Sequence, residues 1–189
     1  MLQKVRHAFG QRDDEYQLED LIELDSTCFG KRHTGNQREV LIAVESRDWV
    51  DKTGEEKSKA GFAKVLINKE NKENVENFLN SATDLRSEIY TDGAMAYSYG
   101  ITGLNIESKN TYNDHKINEE WLPWVHRFIS NAKRWILGTH HGVTGHYLHL
   151  YLQEYTYRFN RRHDIKTLFS RAARAYCLAN PIKLPALSG

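Results

Sequence analysis

Cysteine is scarce. The 189 residues hold two, Cys28 and Cys177, far apart and with no CxxC pair. They cannot build a zinc ribbon and do not indicate a disulfide scaffold, so a reducing, cytoplasmic setting is expected. A dominant charge is also missing: 26 Lys and Arg stand against 25 Asp and Glu, a net charge of +1. That balance excludes neither nucleic acid nor small substrates, because local patches outweigh the sum. No apolar run approaches bilayer length, and the start MLQKVRHAFGQRDDEYQ has no signal-peptide core, so no membrane role is expected. Internal repeats and low-complexity tracts are absent as well. What remains is 40% hydrophobic and 27% charged. This is enough to bury a core and stay soluble, at a length that suggests one domain.

The periodicity changes along the chain. Residues 1–17 carry a helical spacing in LQKVRHAF with nothing upstream to pack on, and read as a residual helix or linker. YQLEDLIELD (16–25) alternates, with Leu21, Glu23 and Asp25 on one side and Ile22 and Leu24 on the other, a strand pattern. REVLIAVESRDWV (38–50) and GFAKVLIN (61–68) read as two further strands, joined by the charged turn 51–60 into an antiparallel hairpin. An amphipathic helix (71–82), a short strand (87–93), a short helix (94–100) and a fifth strand (104–109) follow. A long helix is then expected, with Asn118 as N-cap, Glu119 and Glu120 in its first turn, and its end near Leu137. Gly138 and Gly142 punctuate the next turn. Helices over 145–162 and about 164–178 complete the chain before Pro181. This order predicts an α/β fold: a mixed five-stranded sheet flanked by helices, with a helical C-terminal part. It is the element order of the ribonuclease H-like architecture, a likeness that does not itself establish function. The expected division is 1–17 helix or linker, 18–180 catalytic domain, and 181–189 tail.

In such a sheet the first and fourth strands are neighbours, and each is expected to end in an aspartate, Asp25 and Asp92. Two converging carboxylates repel, and an unfilled site would raise one pKa. A divalent cation relieves that repulsion, and Mg²⁺ typically binds through one or two carboxylates plus substrate phosphates. Two such ions can activate an attacking oxygen and stabilise a leaving one in phosphodiester chemistry. Taken singly, each Asp is an ordinary turn or strand-end residue. The convergence makes the pair a candidate site.

The helix WVHRFISNAKRW supplies a further candidate. Leu122, His126, Ile129, Lys133 and Ile136 share one face, beside an apolar stripe of Trp121, Val125, Phe128, Ala132 and Trp135. A seven-residue step rotates a side chain by only about 20°, so His126 and Lys133 lie one above the other. The ordinary reading is a hydrogen-bonded core histidine and a lysine that snorkels to water. Glu119 and Glu120 are rival ligands with a simpler role as dipole complements, while Asn131 points away.

These stretches resemble a known family. LIELDSTCFGKRH, VLIAVES, EIYTDGAMAY, WVHRFISNAKRWILGTHHGV and HLYLQEYTYRFNRR are similar, in order, to the catalytic part of bacterial insertion-sequence transposases of the DDE superfamily, in the group that carries an amino-terminal zinc ribbon. The resemblance implies a ribonuclease H-like fold and metal-dependent cleavage at inverted-repeat ends, followed by strand transfer of the freed 3′-hydroxyl. It implies Asp25, Asp92 and His126 as ligands of Mg²⁺ or Mn²⁺, with His126 where most relatives have Glu or Asn, and Lys133 on a phosphate or the DNA end. It further implies element ends and target DNA as partners, a homo-oligomer on DNA, and a bacterial cytoplasmic location, with the nucleoid when bound. Ser26 replaces the family's acid after Asp25, Cys28 its aromatic, one glycine is missing after Gly30, and the stretch from Lys31 to Glu39 is short. Imidazole suits Mn²⁺ better than Mg²⁺. No zinc ribbon precedes residue 1, so the chain reads as a catalytic domain cut from a longer transposase. The alternatives are an inactive remnant that binds DNA or full-length transposase, and a stand-alone nuclease. Lys31, Arg32, Arg134, Arg158, Arg161 and Arg162 are candidate phosphate contacts. The histidines His140, His141, His146 and His149 complete no familiar zinc spacing. Cys28 has no base beside it in sequence and reads as a packing residue.

Overall fold

A computed structural model describes residues 1–30, 35–93, 103–109 and 120–183. The expected short helix over 94–100, the candidate contacts Lys31 and Arg32, and Asn118 and Glu119 lie outside the described residues. The elements are α1 (Leu2–Asp14), β1 (Leu21–Phe29), β2 (Arg38–Val50), β3 (Glu56–Ile67), α2 (Lys72–Ala82), β4 (Glu88–Asp92), β5 (Asn105–Lys109), α3 (Pro123–His140), α4 (Leu148–Asn160) and α5 (Leu168–Leu178). The strands form one sheet in the order β3-β2-β1-β4-β5. β1 is antiparallel to β2, and β2 to β3, while β1 and β4, and β4 and β5, run parallel. This is the α/β, ribonuclease H-like arrangement expected from the element order.

Strand alternation divides the core between the two faces of the sheet. Val40, Ile42 and Val44 of β2 pack with Phe29, Val125, Phe128, Ile129 and Leu152 beneath α3 and α4. Leu41 and Ala43 point the other way and pack with Ile22, Leu24, Ile89, Val75 and Leu79 beneath α2. Residues 40–44 are therefore buried on both sides, which is why this stretch reads as a continuous apolar run. α2 is capped by Asn71, whose side chain accepts from the Asn74 amide.

Several expected boundaries shift: β3 begins at Glu56, inside the stretch 51–60 expected as a turn, and the helix expected from 145 begins at Leu148. β1 does not end at Asp25 but runs on to Phe29, because Ser26, Thr27 and Cys28 keep their ladder with β2. Polar and short, those residues resemble a loop in sequence. Nor is the long helix continuous from 118: it begins at Pro123, which occupies the first turn. A proline there pre-sets φ and gives up an N–H that would otherwise lack a partner. Glu120 thus lies before α3 rather than in its first turn. At its far end α3 runs through Gly138 to His140 and is capped by His141 in the left-handed region. The turn after β1 needs Gly30: its φ is +98°, and an added Cβ would stand 2.6 Å from the Asn36 carbonyl oxygen.

α1 finds its partner downstream. Phe9 stacks on Tyr157 at 4.1 Å, Arg6 bonds Glu154 at 2.7 Å, and Asp13 pairs with Arg161 at 2.7 Å. The end of α4 also covers the outer edge of β3. The Asn160 carboxamide accepts from the Ala63 amide at 2.7 Å and donates to its carbonyl at 3.0 Å. Arg162 donates to the carbonyls of Gly61 and Ala60. An exposed strand edge invites unwanted pairing, and these two side chains close this stretch of it.

Candidate active site

β1 presents its odd-numbered residues to α3, and each one from 23 to 29 meets that helix. Glu23 accepts from the Trp124 and Val125 amides at 2.7 and 2.8 Å. Asp25 Oδ2 lies 3.4 Å from His126 Nε2. The Thr27 hydroxyl accepts from Lys133 Nζ at 2.6 Å, and the Phe29 ring lies under the same ammonium at 5.6 Å. The seven-residue step from His126 to Lys133 is therefore matched by a two-residue step on the strand. The helix step advances about 10 Å and the strand step about 7 Å.

Asp92 enters from the neighbouring strand. The parallel ladder pairs Leu24 with Thr91, so the next rung sets Asp25 beside Asp92. Tyr90, two residues earlier on the same face, packs in the cluster under α3 and stacks on Trp121 at 4.4 Å. The Trp121 indole donates to the Thr91 carbonyl at 3.0 Å, fixing the end of β4. Asp25 Oδ1 accepts from the Ser26 amide at 2.7 Å.

The electrostatics report concentrated negative charge. The hydrogen bond to Asp25 raises the His126 pKa above its ordinary value, against the effect of burial, and the carboxylates of Glu23 and Asp92 add to the rise. Glu70, in the loop before α2, accepts from the Ser26 hydroxyl. Burial raises its pKa, and the nearby charges of Asp92, Glu39 and Asp25 act in the same direction. Glu70 meets β1 through Ser26, on the sheet face opposite Asp25, and nothing in the local sequence marks it. Glu23 did carry a signal, its period-two match with Asp25. Burial pushes its carboxyl up to about 7, against the pull of the two α3 amides and His126.

The Glu23 shift has a testable sign. The folded protein holds this proton at pH values where the unfolded chain has lost it, so stability falls as pH rises from about 4.5 to about 7. The rise from 4.5 to about 7 corresponds to about 3 kcal/mol. Glu23→Gln stays neutral, so it is expected to melt higher than the wild type at pH 8 and close to it at pH 4.5. Melting curves of the metal-free protein at both pH values check this.

The basic candidates separate by burial. On α3, Arg127, Ser130, Asn131 and Arg134 are exposed and line a cleft of about 540 Å³ that reaches His126. Arg134 donates to Asn131 at 3.2 Å. Arg158 is about half exposed. Arg161 and Arg162 are instead held inside the fold, the first by Asp13 and the Tyr157 ring at 3.6 Å, the second by the β3 edge and Phe159 at 4.1 Å. Cys28 is exposed, not packed.

A family model of the ISXO2-like transposase domain matches residues 17–160. The chain belongs to that family. The match spans β1 through α4, so it includes Asp25, Asp92, His126 and Lys133 together. No curated protein matches the chain. Transposases act on DNA, and the exposed basic face of α3 is compatible with such a partner. No helix among the described residues is long and apolar enough to cross a membrane.

The donor chemistry suits a hard cation in part. Two carboxylates on adjacent strands, in a field strong enough to raise the proton affinity of His126, offer oxygen ligands to an ion shared with substrate phosphates. No three His, Cys, Asp or Glu side chains among the described residues form a closed cage for one ion. His126 Nε2 faces Asp25, so in this arrangement the imidazole is the partner of a carboxylate.

Proposed function

We propose that this transposase domain hydrolyses a phosphodiester at the inverted-repeat ends of an insertion sequence and joins the freed 3′-hydroxyl to target DNA. What supports the reading is the parallel register of β1 and β4, whose next rung sets Asp25 beside Asp92, with His126 facing Asp25. Asp25 and Asp92 would hold Mg²⁺ or Mn²⁺, which supplies Lewis-acid stabilisation of charge on the phosphoryl oxygens.

In the first reaction a water oxygen attacks phosphorus and the bond to the 3′-oxygen breaks, leaving a 3′-hydroxyl and a 5′-phosphate. In the second that hydroxyl attacks a target phosphorus and displaces a target 3′-oxygen. Each attacking hydroxyl loses a proton and each departing oxygen gains one. His126, half-buried and paired with Asp25, is placed to hold or pass a proton at Nε2. Lys133, anchored to Thr27, presents its ammonium to a phosphate, with Arg127 and Arg134 extending the contact along α3. Arg158 is a more distant candidate. Arg161 and Arg162 are left out, because both are committed to internal contacts.

The test is cleavage and joining of duplex DNA that carries the inverted repeats flanking the gene, in Mg²⁺ and in Mn²⁺, against a scrambled-end control. Activity confined to the repeat ends supports the reading. DNA binding without turnover would favour an inactive remnant, and cutting indifferent to the repeats a plain nuclease. Two variants resolve the role at position 126. If His126 acts in the reaction, His126→Ala cuts at least about tenfold more slowly than the wild type, and His126→Glu retains activity in Mg²⁺. An Ala variant as active as the wild type would leave His126 with a packing role only.

A further inference from the structure

α3 carries no cap of its own. Its N-cap residue, Leu122, makes no side-chain hydrogen bond, and Pro123 has no N–H. The first turn therefore exposes the amides of Trp124 and Val125, while the His126 amide already bonds the Leu122 carbonyl at 3.3 Å. Helix starts leave such donors unpaired unless something outside the helix accepts them. Here the acceptor is one oxygen of Glu23, 101 residues away in sequence and 1% exposed. A buried carboxylate costs several kcal/mol of desolvation, and an apolar residue at this strand position would avoid it. What the carboxylate provides is a fixed attachment. It joins β1 to the helix start two residues before Asp25 on the strand and one residue before His126 on the helix.

We propose that Glu23 is the positioning residue of the site: it docks the start of α3 onto β1 and so sets His126 against Asp25 and Lys133 against Thr27. The apolar packing of Val125, Phe128 and Ala132 in the cluster under α3 is non-directional. The bonds at the helix end are directional. Ser46 also bonds the Glu23 side chain. A glutamine at 23 could therefore accept from both amides and donate to Ser46, whereas a leucine could do neither.

The catalytic consequence rests on the function proposed above, but the docking itself does not. The test uses the full chain as Glu23→Gln and Glu23→Leu, with three measurements at one pH: amide exchange at Trp124 and Val125, the His126 ring resonances, and end cleavage. For Glu23→Leu the expected result is at least about tenfold faster exchange at those two amides, with the amides from Ile129 to Ala132 unchanged. Its His126 ring signals should move toward those of Asp25→Asn, and kcat should fall at least about tenfold with KM within about twofold of the wild type. Glu23→Gln should match the wild type in exchange and in cleavage, and because it lacks the Glu23 charge just as Glu23→Leu does, it is the reference against which the His126 signals of Glu23→Leu are judged. Unchanged exchange in a folded Glu23→Leu, or faster exchange with unmoved His126 signals, overturns the proposal. If Glu23→Leu does not fold, Glu23→Asp withdraws the carboxylate by one methylene and is judged by the same outcomes. A wild type that cuts no DNA would sink the proposed function, while exchange and ring signals still decide the docking.

Discussion

Asp92→Asn is expected to lower end cleavage and strand transfer by about a thousandfold or more while leaving the fold in place. Asparagine has nearly the same shape, and position 92 is partly buried at the end of β4, so the melting temperature should move by no more than about 2 °C. What changes is the charge. The reading gives Asp92 half of a two-carboxylate site whose ion stabilises phosphoryl charge by several kcal/mol, and each 1.36 kcal/mol is a factor of ten in rate. A second readout needs no turnover. Asp92 is one of the charges that raise the His126 and Glu70 pKa values, so both should fall toward ordinary values in the variant. Normal cleavage by a folded Asp92→Asn protein would remove Asp92 from the reaction.

The second large effect concerns stability, and it lies where α1 packs on α4. Asp13 and Arg161 pair at 2.7 Å with side chains 9% and 10% exposed, and Asn160 donates to the other carboxylate oxygen at 3.0 Å. Burial raises the Asp13 pKa, while Arg161 and Asn160 pull it down. Removing one partner strands the other. Asp13→Ala leaves a buried guanidinium without its counter-charge, expected to cost about 3–5 kcal/mol and to lower the melting point by on the order of 10 °C. Asp13→Leu combined with Arg161→Met should recover most of that loss, because the buried pair is then replaced by apolar contact. Thermal melts of the single and double variants decide it. A loss below 1 kcal/mol for Asp13→Ala would mean that α1 is only loosely attached.

The same pair shows where sequence reading stops. LQKVRHAF reads as a helix from its apolar spacing, and α1 is a helix. That its partners are Glu154, Tyr157 and Arg161 is invisible in sequence, since those contacts span about 148 residues. The basic run RFNRR shows the same limit. Arg158, Arg161 and Arg162 are equivalent on paper, but α4 turns one toward solvent, one into an ion pair and one onto a strand edge. Their difference is one of angle around a helix axis whose neighbours are set by the fold.

Element boundaries failed for a related reason. Ser26-Thr27-Cys28 looks like a loop because polar residues rarely continue a strand on their own account. β2 supplies their ladder, so tertiary pairing overrides local preference. Pro123 should have marked a helix start from its chemistry alone, and the apolar stripe running through it concealed the break.

The amino-acid sequence by itself determined the order of strands and helices, because periodicity is a local property written residue by residue, while the resemblance to a family, rather than spacing, put forward Asp25, Asp92, His126 and Lys133 as a set. Only the tertiary structure decided that Glu23 caps a helix 101 residues away, that Glu70 meets Ser26, and that two of three arginines turn inward. Those outcomes depend on which surfaces close against which, and burial and charge pairing are settled between distant segments rather than within them.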